Sequence, residues 1–110
     1  MTRDEVLKEL RDLEKQVRGA DMIQFVKQQA VGLRGQFAAD LATLSASIGA
    51  IENAQLADIA SRLGKLSGAL KAGIKDLHDS LDAVDRTVAI FTALGTVVGL
   101  AAKAAGLAAG

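Results

Sequence analysis

The chain has 110 residues with 13 Lys+Arg against 13 Asp+Glu, so no net charge steers it toward a polyanion. Its aromatics are Phe25, Phe37 and Phe91, too few for a base-stacking platform, and it has no Cys, which excludes a disulfide framework or a thiolate metal site. Half of the residues are apolar, Pro is absent and Ala, Leu and Gly abound, a composition that predicts an all-α chain whose small side chains gain by pairing helices lengthwise or with copies of the chain.

In chain order, Thr2 to Glu5 reads as a capping box opening a charged helix over 1–18. Val6, Leu10, Leu13 and Val17 form its apolar seam. Arg18-Gly19-Ala20-Asp21 predicts a C′ glycine and a new N-cap. A second helix over 21–51 then carries Met22, Val26, Ala30, Leu33, Phe37, Leu41, Leu44, Ile48 and Ile51. Several stripe residues recur every eleven positions (Val26, Phe37, Ile48, Ile59, Leu70, Leu81), a period that keeps a stripe on a nearly straight helix. Gly49 to Asn53 is the predicted break, and a third helix over 54–86 follows with Ile59, Leu63, Leu66, Leu70, Ile74, Leu77, Leu81 and Val84. Two helices of matched length predict a long antiparallel, coiled-coil-like hairpin within a single domain, 1–110. Between Arg34 and Arg62 there is no cation and only Asp40, Glu52 and Asp58 as acids, so other helices are expected to cover more than one side of that segment.

The fourth segment, 88–110, is apolar and rich in Gly and Ala. Continued in phase from Leu77 and Leu81, the seam passes through Val88, Gly95, Gly99, Ala102 and Gly106, so its side chains shrink. The opposite face turns apolar with Ile90, Leu94, Val97, Ala101 and Ala104. Large residues facing acyl chains and small ones facing another helix are what a membrane helix needs. Val88, Ile90, Phe91, Leu94, Gly95, Val97, Val98, Gly99, Ala102 and Gly106 are therefore the candidate membrane or helix-packing residues, and Thr92, Thr96 and Lys103 a polar edge. Lys103 in the span costs roughly 2.5–3.5 kcal/mol at a helix centre. A bend near 85–88 would instead fold the segment back on the hairpin, and this closed form is the one expected in water.

The remaining motifs carry little chemistry. Asp76, Asp79, Asp82 and Asp85 fan round an outer face, a solvated surface or an acidic collar at a membrane. His78, the single histidine, lies four residues before Asp82, a pair with which acid could favour insertion. No metal, cofactor, small-molecule substrate or nucleic acid is expected, and no nucleophile–base pair supports an enzyme.

The layout of a helical hairpin with one mobile apolar helix resembles that of α-helical pore-forming toxins, though no motif diagnostic of them is present. That resemblance implies a non-enzymatic protein that oligomerises and inserts or docks through its C-terminal helix, with itself and a lipid membrane as partners. Two alternatives stand beside it: a soluble homo-oligomeric structural bundle, and a coat on an apolar granule or lipid surface, since phasins are similar in size, helicity and Ala content. The charged N-terminus is not a secretory signal, so synthesis in the cytoplasm is expected, followed by membrane association or leaderless export.

Overall fold

The computed structural model describes residues 3–53, 66–82 and 89–109; apart from short turns these are helical, with no strand among them. The helices are α1 (Arg3–Val17), α2 (Ala20–Lys27), α3 (Val31–Asn53), α4 (Ser67–Asp82) and α5 (Ala89–Ala109). The predicted cap residue Thr2, the positions 54–65 and the proposed bend at 83–88, with Val84, Asp85 and Val88, lie outside the described residues.

The α1 seam forms as its spacing dictates: Val6, Leu10, Leu13 and Val17 are all completely buried. Asp4 and Glu5 occupy the first turn of the helix and Lys15 the last, each sign matching the helix dipole at its end. The next helix begins at Ala20, one residue earlier than expected. Gly19 is its N-cap, with φ −64° and ψ 154°, and it makes no left-handed turn. What holds Gly there is space: a Cβ on it would sit 3.1 Å from the Gln16 carbonyl oxygen.

The expected single helix over 21–51 is two helices. The Gln28 N–H donates to the Phe25 carbonyl and the Gln29 N–H to the Val26 carbonyl, tight i→i−3 bonds that end α2. The Gln29 amide also donates to the Phe25 carbonyl at 3.2 Å. Propensity alone did not mark this break, since no Pro is present and the glycines Gly32 and Gly35 come after it. Gly49, by contrast, is helical, and α3 runs on to Asn53.

Contacts between named residues give the helix directions. On α1, Arg11 reaches Glu52 of α3 at 2.9 Å, while Glu14 and Arg18, just past its end, both meet Ser45, so these helices run in opposite senses. Phe37 of α3 faces Phe91 of α5, and Asp40 faces Gly95, so α3 and α5 run in the same sense. Gly73 of α4 approaches Thr96, Val97 and Leu100 of α5. His78 of α4 lies 3.9 Å from Glu9 of α1. The broadest interface joins α3 and α5, followed by α4 with α5 and α1 with α3. The described parts of α3 and α4 share no broad interface; α5 lies against both.

Most of the predicted stripe that is described lies in the core; Leu33, Leu41 and Leu66 are partly buried against it and Ala30 is exposed. Val26, Phe37, Leu44, Ile48, Ile51, Leu70, Leu77 and Leu81 are buried together with the α1 seam. Aliphatic side chains of this size each contribute roughly 1.5–3 kcal/mol when fully buried.

A docked apolar helix

α5 is the most apolar described helix, and the window Ala89–Gly106 has a mean hydropathy of 1.5 with Lys103 as its sole charge. By length and composition it is the one described helix that could cross a membrane. At about 1.5 Å per residue, such a helix of 21 residues is about 30 Å long.

In the structure, α5 is packed onto α3 and α4 rather than extending away from the bundle. Ile90, Phe91, Leu94, Val97 and Val98 are buried, as are Ala101 and Ala104. Gly95 is half-buried, and Gly99, Ala102 and Gly106 are exposed. The polar edge, Thr92, Thr96 and Lys103, is exposed as well. The expected faces belong to an inserted helix; the closed form gives each of them a different neighbour. The side read as lipid-facing is the core side, and the small seam read as the packing side looks outward. The reason is area: once α5 lies against two helices, turning Leu, Ile, Val and Phe inward removes far more apolar surface from water than turning Gly and Ala inward.

Three aromatic rings fix the start of α5. Phe91 stacks on Phe25 with centroids 5.9 Å apart and meets Phe37 edge-on at 6.2 Å. Both geometries are favoured by the ring quadrupole. Because α2 and α3 are separate helices, Phe25 and Phe37 can converge on the same ring from different elements.

Farther along, small residues set the spacing. A Cβ at Gly73 would lie 3.5 Å from Leu100 Cδ1 and from Val97 Cγ2. Between α4 and α5 a hollow of about 350 Å³ is lined by Gly73, Asp76, Ala89, Thr92, Ala93 and Thr96. The Thr96 hydroxyl donates to the Thr92 carbonyl at 3.1 Å.

Asp40 is the charged group that sequence reasoning noted but did not place. It is the lone charge between Arg34 and Glu52, and that isolation was the signal. It is half-buried between α3 and α5, beside Gly95, and burial pushes its carboxyl above the ordinary carboxylate value. Among the described residues it has neither an ion-pair partner nor a hydrogen-bond donor.

The other candidate groups are separated. His78 pairs with Glu9 of α1 rather than with Asp82, which corrects the expected His78–Asp82 pair. Asp76, Asp79 and Asp82 are exposed on α4. The Ser80 hydroxyl donates to the Asp76 carbonyl, and the buried Ser47 hydroxyl donates to the Thr43 carbonyl. Among the described residues no group of His, Asp and Glu is placed to hold a metal ion. No protein-family model, curated protein or solved structure matches the chain.

Proposed function

We propose that the protein is a non-enzymatic, membrane-active helical bundle that holds its apolar C-terminal helix docked and releases it into an apolar phase. The observation that carries this reading is α5 itself: a span-length helix with one charge, whose large side chains are turned inward and whose small seam is already outside. On release, Ile90, Leu94, Val97 and Val98 meet acyl chains in place of α3 and α4. The seam of Gly95, Gly99, Ala102 and Gly106 then lets copies of α5 approach closely, and Thr92, Thr96 and Lys103 border a wet interior. In the open form, α3 and α4 close on each other as the antiparallel, coiled-coil-like hairpin that carries the released helix.

A soluble homo-oligomeric bundle is the second reading. It is favoured by the burial of 44% of the apolar window within one chain, as in a core helix. A phasin-like coat is less well supported, because a surface-lying helix needs one distinctly polar face and α5 has a narrow edge of two threonines and a lysine.

The test uses the absence of Cys. Gly73→Cys with Val97→Cys places two thiols across the α4–α5 contact, where the Gly73 Cβ position lies 3.5 Å from Val97 Cγ2. Reduced, the variant should release dye from liposomes as the parent does; oxidised, it should release none. Equal leakage in both states, or no leakage and no vesicle flotation by the parent, would defeat the proposal. A stable oligomer without lipid in the oxidised state would favour the bundle reading.

A further inference from the structure

Two large hydrophobic side chains are strongly exposed among the described residues, Ile23 at 40% and Val31 at 73%. Val31 opens α3 just after the α2–α3 turn, and Ile23 lies on α2 one helical turn before its end, on the same face as Lys27. The charges between Ile23 and Val31, and just beyond Val31, are of one sign, with the exposed Asp21 two residues before Ile23. From 22 to 39 the only charged residues are Lys27 and Arg34, both exposed. Elsewhere basic and acidic groups are mixed: α1 sets Arg11 against Glu52 and Arg18 against Glu14, and α4 interleaves Lys71 and Lys75 with Asp76 and Asp79. The nearest acids in sequence are Asp21, exposed at the start of α2 where it shares a hollow with Asp82 of α4, and Asp40, turned toward Gly95 of α5.

The place of this corner in the fold is equally specific. Phe25, on α2 between Ile23 and Lys27, stacks on Phe91 near the start of α5. The corner therefore sits at the end of the bundle where the apolar helix begins.

We infer that the α2–α3 corner, with Ile23 and Val31 as apolar anchors and Lys27 and Arg34 as cationic flanks, is a docking surface for anionic lipid. Apolar side chains enter the headgroup–acyl boundary, and flanking cations meet the negative surface charge. With no aromatic ring exposed at the corner, its chemistry suits a lipid surface better than the bases of a nucleic acid. The inference rests on the membrane-active reading and adds to it a first contact, which brings the start of α5 to the interface before the helix is released.

Two single-Cys variants of the full chain separate the two proposals. An environment-sensitive dye is attached at Val31→Cys in one and at the exposed Ala102→Cys in the other, and each is mixed with vesicles of phosphatidylcholine alone or with phosphatidylglycerol added. With the anionic vesicles the dye at position 31 should shift to the blue, and the shift should weaken as salt rises. Adding Lys27→Ala with Arg34→Ala should raise the lipid needed for half-saturation roughly 30-fold. No shift at position 31, or an equal shift on neutral vesicles, overturns the docking surface. A shift at 102 without one at 31 does so while leaving the release of α5 standing. A shift at 31 without one at 102 supports the docking surface and removes the insertion of α5. All sites are on the surface, and an unchanged helical circular dichroism spectrum confirms the fold of each variant.

Discussion

The carboxylate of Asp40 lies 4.0 Å from the point where a side chain on Gly95 would begin, at the contact of α3 with α5. Burial raises the pKa of this carboxyl in the folded state, so the fold holds its proton more tightly than the unfolded chain does. The contribution is therefore most favourable below the ordinary carboxylate value and is lost as pH rises through the folded-state value. Asp40→Asn removes the dependence. The variant should melt higher than the parent near neutral pH, by on the order of a few °C, and the gap should close toward acid. A gap that stays constant with pH would show that Asp40 does not titrate against the α3–α5 contact. Acid thus fastens α5 at this point, opposite to the acid-favoured insertion that the His78–Asp82 spacing suggests from sequence.

The ring cluster predicts where the bundle is most sensitive. Phe91 is 4% exposed and touches both other phenylalanines. Phe91→Ala should cost about 3–5 kcal/mol, through lost transfer energy and the cavity left behind. Against a small domain's total of roughly 5–15 kcal/mol, this leaves a marginal fold. Phe91→Leu should cost clearly less. Urea unfolding followed by circular dichroism measures both, and an exposed-residue cost below about 0.5 kcal/mol for the alanine variant would contradict the packing.

Gly73, inside α4, and Gly19, the N-cap of α2, should respond with opposite signs to the same substitution. At Gly73 a methyl group would make ordinary contacts with Leu100 and Val97, so Gly73→Ala should stabilise by about 0.5–1 kcal/mol through helix propensity. At Gly19 the methyl would press on the Gln16 carbonyl oxygen, so Gly19→Ala should destabilise. Thermal melts of the two variants decide the matter, and a rise for Gly19→Ala would show that the α1–α2 joint relaxes freely.

Ser45 joins Glu14 of α1 and Arg18 just after it: its hydroxyl donates to Glu14, and Arg18 donates to it at 2.8 Å. Ser45→Ala should lower stability by about 0.5–1.5 kcal/mol, the usual net value of such a bond. The loss should be smaller in Arg18→Ala, because the two changes share a partner. A double-mutant cycle in urea reads this coupling, and strict additivity would show that the three groups act separately.

The core was legible because it depends on spacing. Val6, Leu10, Leu13 and Val17, and the eleven-residue series through Val26, Phe37, Ile48 and Leu70, declare their face in the sequence and are buried. The α2–α3 break was not legible, since hydrogen bonds of Gln28 and Gln29 to their own helix end it and no Pro or Gly marks the turn. The closed orientation of α5 was not legible. Periodicity shows that Leu94 and Gly99 lie on different faces; only packing decides which face meets other helices. Asp40 was visible as an isolated charge, but its closeness to Gly95 arises from the pairing of two helices far apart in the sequence.

The exposed seam of α5 yields the last prediction. Gly99 is exposed, and among the described residues no side chain lies within 4 Å of a Cβ added to it, so the closed bundle has room for a large residue there. Gly95 is a poorer probe, because a side chain on it would approach Asp40. Gly99→Leu should therefore keep the helical spectrum and fold at least as stably as the parent, gaining up to about 1 kcal/mol from helix propensity. If the seam packs copies of α5 together, a leucine there holds the backbones apart and removes the close approach on which association depends. Dye release from liposomes, and oligomers in detergent, should then fall sharply, whereas Gly99→Ala should largely retain them. A Gly99→Leu protein that still assembles and still releases dye would show that the outward glycines are not a packing surface.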